Sequence, residues 1–445
     1  YWGQNSIGAI SSTPSSEWQK PLSFYCNDDA VDVFPIAFVN GFFSTGGEPT
    51  MNLANTCNPT DNATFPGTAL PNCASLATDI ETCQSKGKLV TISLGGAGGG
   101  VGFSSDAQAT SFAQTIWNLY LGGSSSTRPF GSAVLDGVDL DIESGSGSSY
   151  AAFVNEIRSL SSGASKKYYI TAAPQCVYPD AALGSALNSA DFDAIYGLLG
   201  TLAFGNFSFM IFLGQVLNGA NRDQWARSVS PNPNVKVYIG APASSSAAGS
   251  GYVDIATLSN IAVTMRKSFP SFGGVMLWDE SQAYQNNRFD LAIKNALVAA
   301  GGTGFTYPAC SALAYSSTAS YPGGSQVTYQ GYIFQAKWFA SSAPSMNANG
   351  DWSAISACAG PPTSPPSGPS VTCAGVPAWS STTIFVGGNQ ATYNGDLWTA
   401  QWRSVYSTWT RRWTQGDIPG GGAGVWVNDG ACATASRRNS RFFGN

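Results

Sequence analysis

The chain has 445 residues, 43% of them apolar and only 11% charged, with a net charge of −5 and no histidine. That balance gives no electrostatic footprint for nucleic acid or an anionic membrane surface. It also excludes Ser-His-Asp and Cys-His catalysis and every histidine-containing metal site, so acid–base chemistry falls to Asp, Glu, Tyr, Lys or Cys.

In chain order, apolar and β-branched runs recur at Val33–Val39, Lys88–Leu94, Val134–Glu143, Tyr168–Ala173, Phe192–Tyr196, Val235–Ile239 and Gly273–Trp278. The opening Tyr1-Trp2-Gly3 reads as the end of one more strand, which makes eight. Amphipathic segments such as Tyr150–Leu160 and Ile255–Ser268 follow several of them. Eight strand–helix units over about 300 residues predict a (β/α)8 TIM barrel, with an open doubly wound sheet as the alternative.

The third of these runs carries acids at Asp136, Asp139, Asp141 and Glu143. Period-two alternation puts Asp139, Asp141 and Glu143 on one face and Val138, Leu140 and Ile142 on the other. Same-face neighbours lie roughly 6–7 Å apart. At an effective dielectric near 20, two charges there repel by about 2.5 kcal/mol, so at least one acid should keep its proton near neutral pH. The interleaved apolar residues argue against a solvated strand. The missing glycine turn and distant Glu argue against a calcium loop. The favoured reading over these two rivals is a glycosidase acid with supporting carboxylates. The Gly-rich stretch around Leu94–Gly100 lacks the Gly-Lys-Ser/Thr of a phosphate loop.

Beyond residue 301 the texture becomes aromatic, Thr, Gly and Ser, with an internal repeat at an offset of 64. Ala314-Tyr315-Ser316-Ser317-Thr318 recurs as Ala378-Trp379-Ser380-Ser381-Thr382, and Thr328-Tyr329-Gln330-Gly331 as Thr392-Tyr393-Asn394-Gly395. Two small β modules are expected, 310–358 and 373–432, each bracketed by a cysteine pair that a core this small needs. A Pro/Ser/Gly linker at 360–370 joins them, and a tail follows at 433–445. The nine cysteines include no C-x-x-C, which favours disulfides over zinc. Together with sequons at Asn62 and Asn206 and a start at Tyr1, they predict a secreted protein whose leader has been removed.

The run Asp136-Gly137-Val138-Asp139-Leu140-Asp141-Ile142-Glu143 resembles the D-G-x-D-x-D-x-E signature of family 18 glycoside hydrolases. Tyr1-Trp2-Gly3-Gln4-Asn5, Ser93-Leu94-Gly95-Gly96, Ala172-Ala173-Pro174-Gln175-Cys176 and Gly274–Trp278 extend the likeness to class III fungal and plant chitinases over residues 1–303. The resemblance implies retaining, substrate-assisted cleavage of β-1,4-linked N-acetylglucosamine. It assigns Glu143 as general acid and base, Asp141 as the group orienting the substrate acetamide, and Asp139 as its proton-sharing partner. Trp278 becomes the floor beneath the reacting sugar, and Gln4 and Gln175 candidate sugar hydrogen-bonders, with a structural role as the rival for both. It also implies bridges Cys26–Cys83 and Cys57–Cys73.

The likeness fails after Phe192. The family's glutamine and tyrosine fall on Leu198 and Gly200, and the uncharged run Gly197–Gly219 matches neither the family nor a convincing membrane span. Similarity resumes at Asp223-Gln224-Trp225-Ala226, so a shifted reading frame and genuine divergence are the two explanations. Cys176 is left without its family partner.

The repeats resemble carbohydrate-binding modules of families 5 and 12, with Trp338, Trp379, Trp402 and Trp413 as candidate chitin contacts. An insertion, Arg403–Arg412, separates the last two. The expectation is therefore a secreted, extracellular or cell-wall, monomeric chitinase acting on chitin and chito-oligosaccharides. It would need no cofactor or metal, and no nucleic-acid or membrane partner. A catalytically weakened chitin-binding lectin on the same scaffold is the alternative.

Overall fold

The computed structural model describes residues 1–98, 101–144, 149–175, 180–198, 220–301, 304–317, 319–347, 350–358, 372–383, 385–400, 419 and 426–432. Two compact units divide at residues 359 and 360.

In the first unit, seven parallel strands follow one another in chain order. They are β1 Val33–Val39, β2 Leu89–Gly96, β3 Gly137–Ile142, β4 Tyr169–Ala172, β5 Ala194–Leu198, β6 Lys236–Pro242 and β7 Phe272–Trp278. The eighth stave is only a dipeptide. Trp2 bonds β1 through Trp2 N to Pro35 O at 3.0 Å and Ala37 N to Trp2 O at 2.9 Å. On its other side the Tyr1 nitrogen donates to Leu277 O in β7 at 3.0 Å. Both edges of the sheet therefore meet the same two residues, which is the closure a (β/α)8 barrel requires.

Helices cover the outside. Those at Tyr150–Leu160 and Ile255–Ser268 have the bounds their periodicity predicts. The second is capped by Asp254, whose side chain accepts from Thr257 N at 2.8 Å. Ile92, Val138, Leu140 and Ile170 face outward into one buried cluster with Phe112, Ile116, Phe153 and Ile157 of the helices. Each such side chain contributes about 1.5–3 kcal/mol by leaving water. The opposite face of the strands is left for the barrel interior, where Ser93, Asp139 and Thr171 adjoin a smaller apolar cluster.

The repeat is visible in backbone geometry. In the first copy, β8 Gln326–Tyr329 and β9 Tyr332–Ala336 form a hairpin, with β10 Trp352–Ala357 on β9. The second copy has β11 Gln390–Tyr393 and β12 Asp396–Ala400, with β13 Trp426–Ala431 on β12. Both hairpins turn on two consecutive positive-φ residues, Gln330-Gly331 and Asn394-Gly395, as a tight two-residue turn demands. Disulfides Cys310–Cys358 and Cys373–Cys432 bracket the two sheets, and Cys26–Cys83 and Cys57–Cys73 lie in the barrel.

The first copy belongs to the same compact unit as the barrel. Val327, Tyr332 and Phe334 share a buried cluster with Ile261, Met265 and Phe269 of the barrel. The second copy forms the other unit. The linker at 360–370 and the tail at 433–445 lie outside the described residues.

Candidate active site

The acid run starts with a structural residue. Asp136, just before β3, accepts from Val90 N at 2.7 Å and Gln84 Nε2 at 2.9 Å, and pairs with Lys166 Nζ at 2.8 Å. Gly137 follows because a Cβ there would lie 1.9 Å from Tyr169 O on the neighbouring strand. These contacts lock the start of β3, and with it the direction in which the later acids point.

Parallel register brings Ser93 of β2, Asp139 of β3 and Thr171 of β4 side by side. Asp139 is fully buried, and three hydroxyls donate to it. Tyr1 Oη and Ser93 Oγ reach Oδ2 at 2.7 and 2.6 Å, and Thr171 Oγ1 reaches Oδ1 at 2.6 Å. Burial pushes the Asp139 carboxyl above its ordinary range, and the three donors oppose that rise.

One step along, Asp141 is 6% exposed and lies beside Gly95, where a Cβ would come within 2.1 Å of Asp141 O. Its carboxyl is held well above the ordinary range, first by burial and then by the charges of Asp139 and Glu143. Like-charge repulsion alone predicts this direction from the sequence, but desolvation is the larger cause. Asp141 therefore keeps a proton more readily than an exposed aspartate does.

Glu143 lies one residue past the end of β3 and is exposed, its carboxyl raised by partial desolvation. An accessible acid next to a buried carboxyl pair can give a proton to a substrate and take one back.

An apolar wall adjoins the acids through Tyr1. Trp278, the last residue of β7, stacks on Phe38 with ring centroids 5.7 Å apart and planes at 16°. The Tyr1 ring lies 5.5 Å from Trp278, so one residue contacts both the wall and Asp139. Gln175 sits beside the acid, its Nε2 donating to Glu143 O at 3.2 Å. Gln4 is engaged elsewhere: its Nε2 ties Ala37 O to Asn52 O at 2.8 and 2.9 Å. Among the described residues, no cluster of His, Cys, Asp and Glu forms a metal site.

The model of Glycosyl hydrolases family 18 matches residues 15–248, more than half of the chain. The chain belongs to glycosyl hydrolases family 18. Chitinase 2 of Rhizopus oligosporus is 46% identical over 303 residues, 68% of this chain and 52% of its own length. The endochitinase of Saccharomyces cerevisiae is 41% identical over 317 residues, covering 69% of this chain and 51% of itself. The chain thus spans about half the length of these two curated relatives. Endochitinase 33 of Trichoderma harzianum is 38% identical, with 90% of its length matched.

Among solved structures, the ICChI chitinase of Ipomoea carnea superposes with a TM-score of 0.55 at 30% identity, covering 66% of this chain and 98% of its own. A xylanase and alpha-amylase inhibitor protein of Scadoxus multiflorus superposes with a TM-score of 0.52 at 29% identity, covering 66% of this chain and 96% of its own. An inhibitor protein that superposes on this fold means that the fold alone does not decide the activity.

The acid motif did not reveal Tyr1, Ser93 and Thr171 as partners of Asp139. The period-two rule could have found the last two, because each lies on the inward face of its strand at the register of Asp139. In the first repeat Trp338 is 52% exposed, with its Nε1 on Asp351 Oδ1 at 2.8 Å, and Phe339 beside it is 63% exposed. Trp379 packs edge-on to Tyr393 at 5.4 Å. Cys176, Gly200, Trp402 and Trp413 lie outside the described residues, as does the Leu198 side chain.

Proposed function

We propose that this protein is a chitinase that hydrolyses β-1,4 linkages of N-acetylglucosamine polymers with retention of configuration. The observation that carries the reading is the graded carboxylate row: Asp139 fully buried, Asp141 6% exposed and Glu143 open to a ligand. Glu143, protonated, donates to the glycosidic oxygen as the bond to the leaving sugar breaks. The substrate's own acetamido oxygen attacks the anomeric carbon, forming an oxazolinium ion. Asp141 accepts the acetamide N–H, orients that oxygen and balances the positive charge, while the pair's proton moves toward Asp139. Glu143, now a carboxylate, takes a proton from water as that water attacks the anomeric carbon from the face the leaving sugar vacated and opens the oxazolinium ring. Trp278 offers an aromatic surface to the apolar face of the reacting sugar.

The repeats are proposed to bind chitin through Trp338, Trp379, Trp402 and Trp413, and the protein to work outside the cell or in the wall. Among the described residues, no helix is long and apolar enough to cross a membrane.

The test is Glu143→Gln, which keeps the shape and removes the acid. Hydrolysis of a soluble chito-oligosaccharide should stop while binding to insoluble chitin persists. Residual turnover above a few per cent sinks the assignment. Product analysis before mutarotation should show the β anomer first, and an initial α anomer rules out retention.

A further inference from the structure

Thr171 does something that its place in an ordinary strand does not require. It is the register partner of Asp139 on β4, only 4% exposed, and its hydroxyl donates to Asp139 Oδ1 at 2.6 Å. The other carboxylate oxygen is already taken by Tyr1 and Ser93. Water cannot replace a lost donor at a fully buried carboxylate. Packing alone asks for no hydroxyl here, since its register partner on β5 is Ala194 and its same-face neighbour along the chain is Ala173, both buried among apolar residues. Valine would fill the same volume.

A hydroxyl has one hydrogen to give and two lone pairs to receive with. Thr171 gives its hydrogen to Asp139. Tyr196 is 5% exposed and packs edge-on to Tyr238 of β6 at 5.4 Å. The titratable groups around Asp139 are the phenol and the amino group of Tyr1 from the closing segment, Asp141 and Glu143 on its own strand, and Tyr196 and Tyr238 from β5 and β6. The neighbouring β2 and β4 supply the neutral donors Ser93 and Thr171.

We propose that Thr171 is a positioning residue of the reaction, holding Asp139 anionic and fixing its carboxylate plane so that Asp141 can share its proton there. This role rests on the chitinase reading for its consequence in turnover, but not for its effect on the carboxyl pair.

The test compares Thr171→Val and Thr171→Ser in the full chain. On a soluble chito-oligosaccharide, Thr171→Val should lower kcat by about tenfold with KM nearly unchanged. Losing a donor to the anion favours its protonated form, so the acid limb of the kcat profile should move up by about one pH unit. Thr171→Ser should restore most of both. An unmoved acid limb in Thr171→Val, or a Ser variant as impaired as Val, overturns the proposal, because then only packing matters. Should Thr171→Val fail to fold, Thr171→Ala, which also removes the hydroxyl, is read in its place. A shift in the same direction supports the role, and none overturns it.

If the unaltered protein cleaves nothing, the chitinase reading falls by itself. Carbon-13 NMR titration of the aspartate carboxyls then still decides the role of Thr171. An apparent pKa of the Asp139–Asp141 pair that rises by about one unit in Thr171→Val upholds it, and an unchanged titration overturns it.

Discussion

Tyr332, in the first copy of the repeat, donates a 2.7 Å hydrogen bond to Asp223, a fully buried residue of the barrel. Arg227 Nη1 donates to the Tyr332 oxygen at 2.9 Å, and Ser271 caps Asp223 Oδ1 through its nitrogen and its hydroxyl at 3.0 and 2.6 Å. The hydroxyl both gives and receives, so its removal leaves a buried carboxylate and a guanidinium short of a partner. Tyr332→Phe should therefore destabilise the first unit by about 1–3 kcal/mol, read from the denaturant midpoint. The residue 64 positions later is Asp396, which could only repel Asp223. Asp396→Asn should leave the same midpoint unmoved, and a comparable loss there would show that the Tyr332 contact is not specific.

The buried acids make stability depend on pH in a particular direction. The folded-state pKa of Asp141 is raised, so between its ordinary value and the raised one the folded chain holds a proton that the unfolded chain has released. Stability therefore falls as pH climbs through that window and levels off above it. Asp141→Asn removes the burden. It should melt higher than the parent at pH 7.5 and equal to it near pH 3.5, while losing turnover. Equal melting at both pH values would mean that burial of this carboxyl carries no cost.

Trp278 and Phe38 form a two-ring wall, with Tyr1 leaning against it. If Trp278 supports the reacting sugar, Trp278→Ala should raise KM by about tenfold on short chito-oligosaccharides, with Trp278→Phe in between. Lengthening the substrate should recover part of the loss, because additional sugar contacts then hold the chain. A KM unchanged in the alanine variant places the sugar elsewhere.

Among the described residues four disulfides use eight of the nine cysteines in the sequence; the ninth is Cys176. Thiol titration of the protein unfolded without reductant should find about one thiol per chain. Four or more would mean that bridges are missing, and none would mean that Cys176 is paired to another chain or modified.

Much of this fold is local and so can be read along the chain. The helix Tyr150–Leu160 and strand β1, Val33–Val39, have their expected bounds because each is set by the period of its own apolar residues. The 64-residue offset carries over to both hairpins because Gln330-Gly331 and Asn394-Gly395 make the same turn by local backbone preference. The inward direction of Asp139 and Asp141 follows from alternation within one strand.

What alternation cannot give is the partner across the barrel. Glu143 falls on the same face in the pattern, yet β3 ends at Ile142 and leaves it open, while Asp139 is sealed by hydroxyls 138 and 46 positions earlier and 32 later. Gln4 is a sugar hydrogen-bonder or a structural residue as far as the sequence goes, and only the folded chain brings Ala37 O and Asn52 O to its amide nitrogen. The docking of the first repeat likewise depends on Tyr332 meeting Asp223, 109 positions away. Sequence by itself determined which residue types could do acid–base work and which face of a strand they occupy, because those properties depend on neighbours a few bonds away. Only the tertiary structure decided which of those acids lost its water and which hydroxyls replaced it, because desolvation is a property of everything packed around a group.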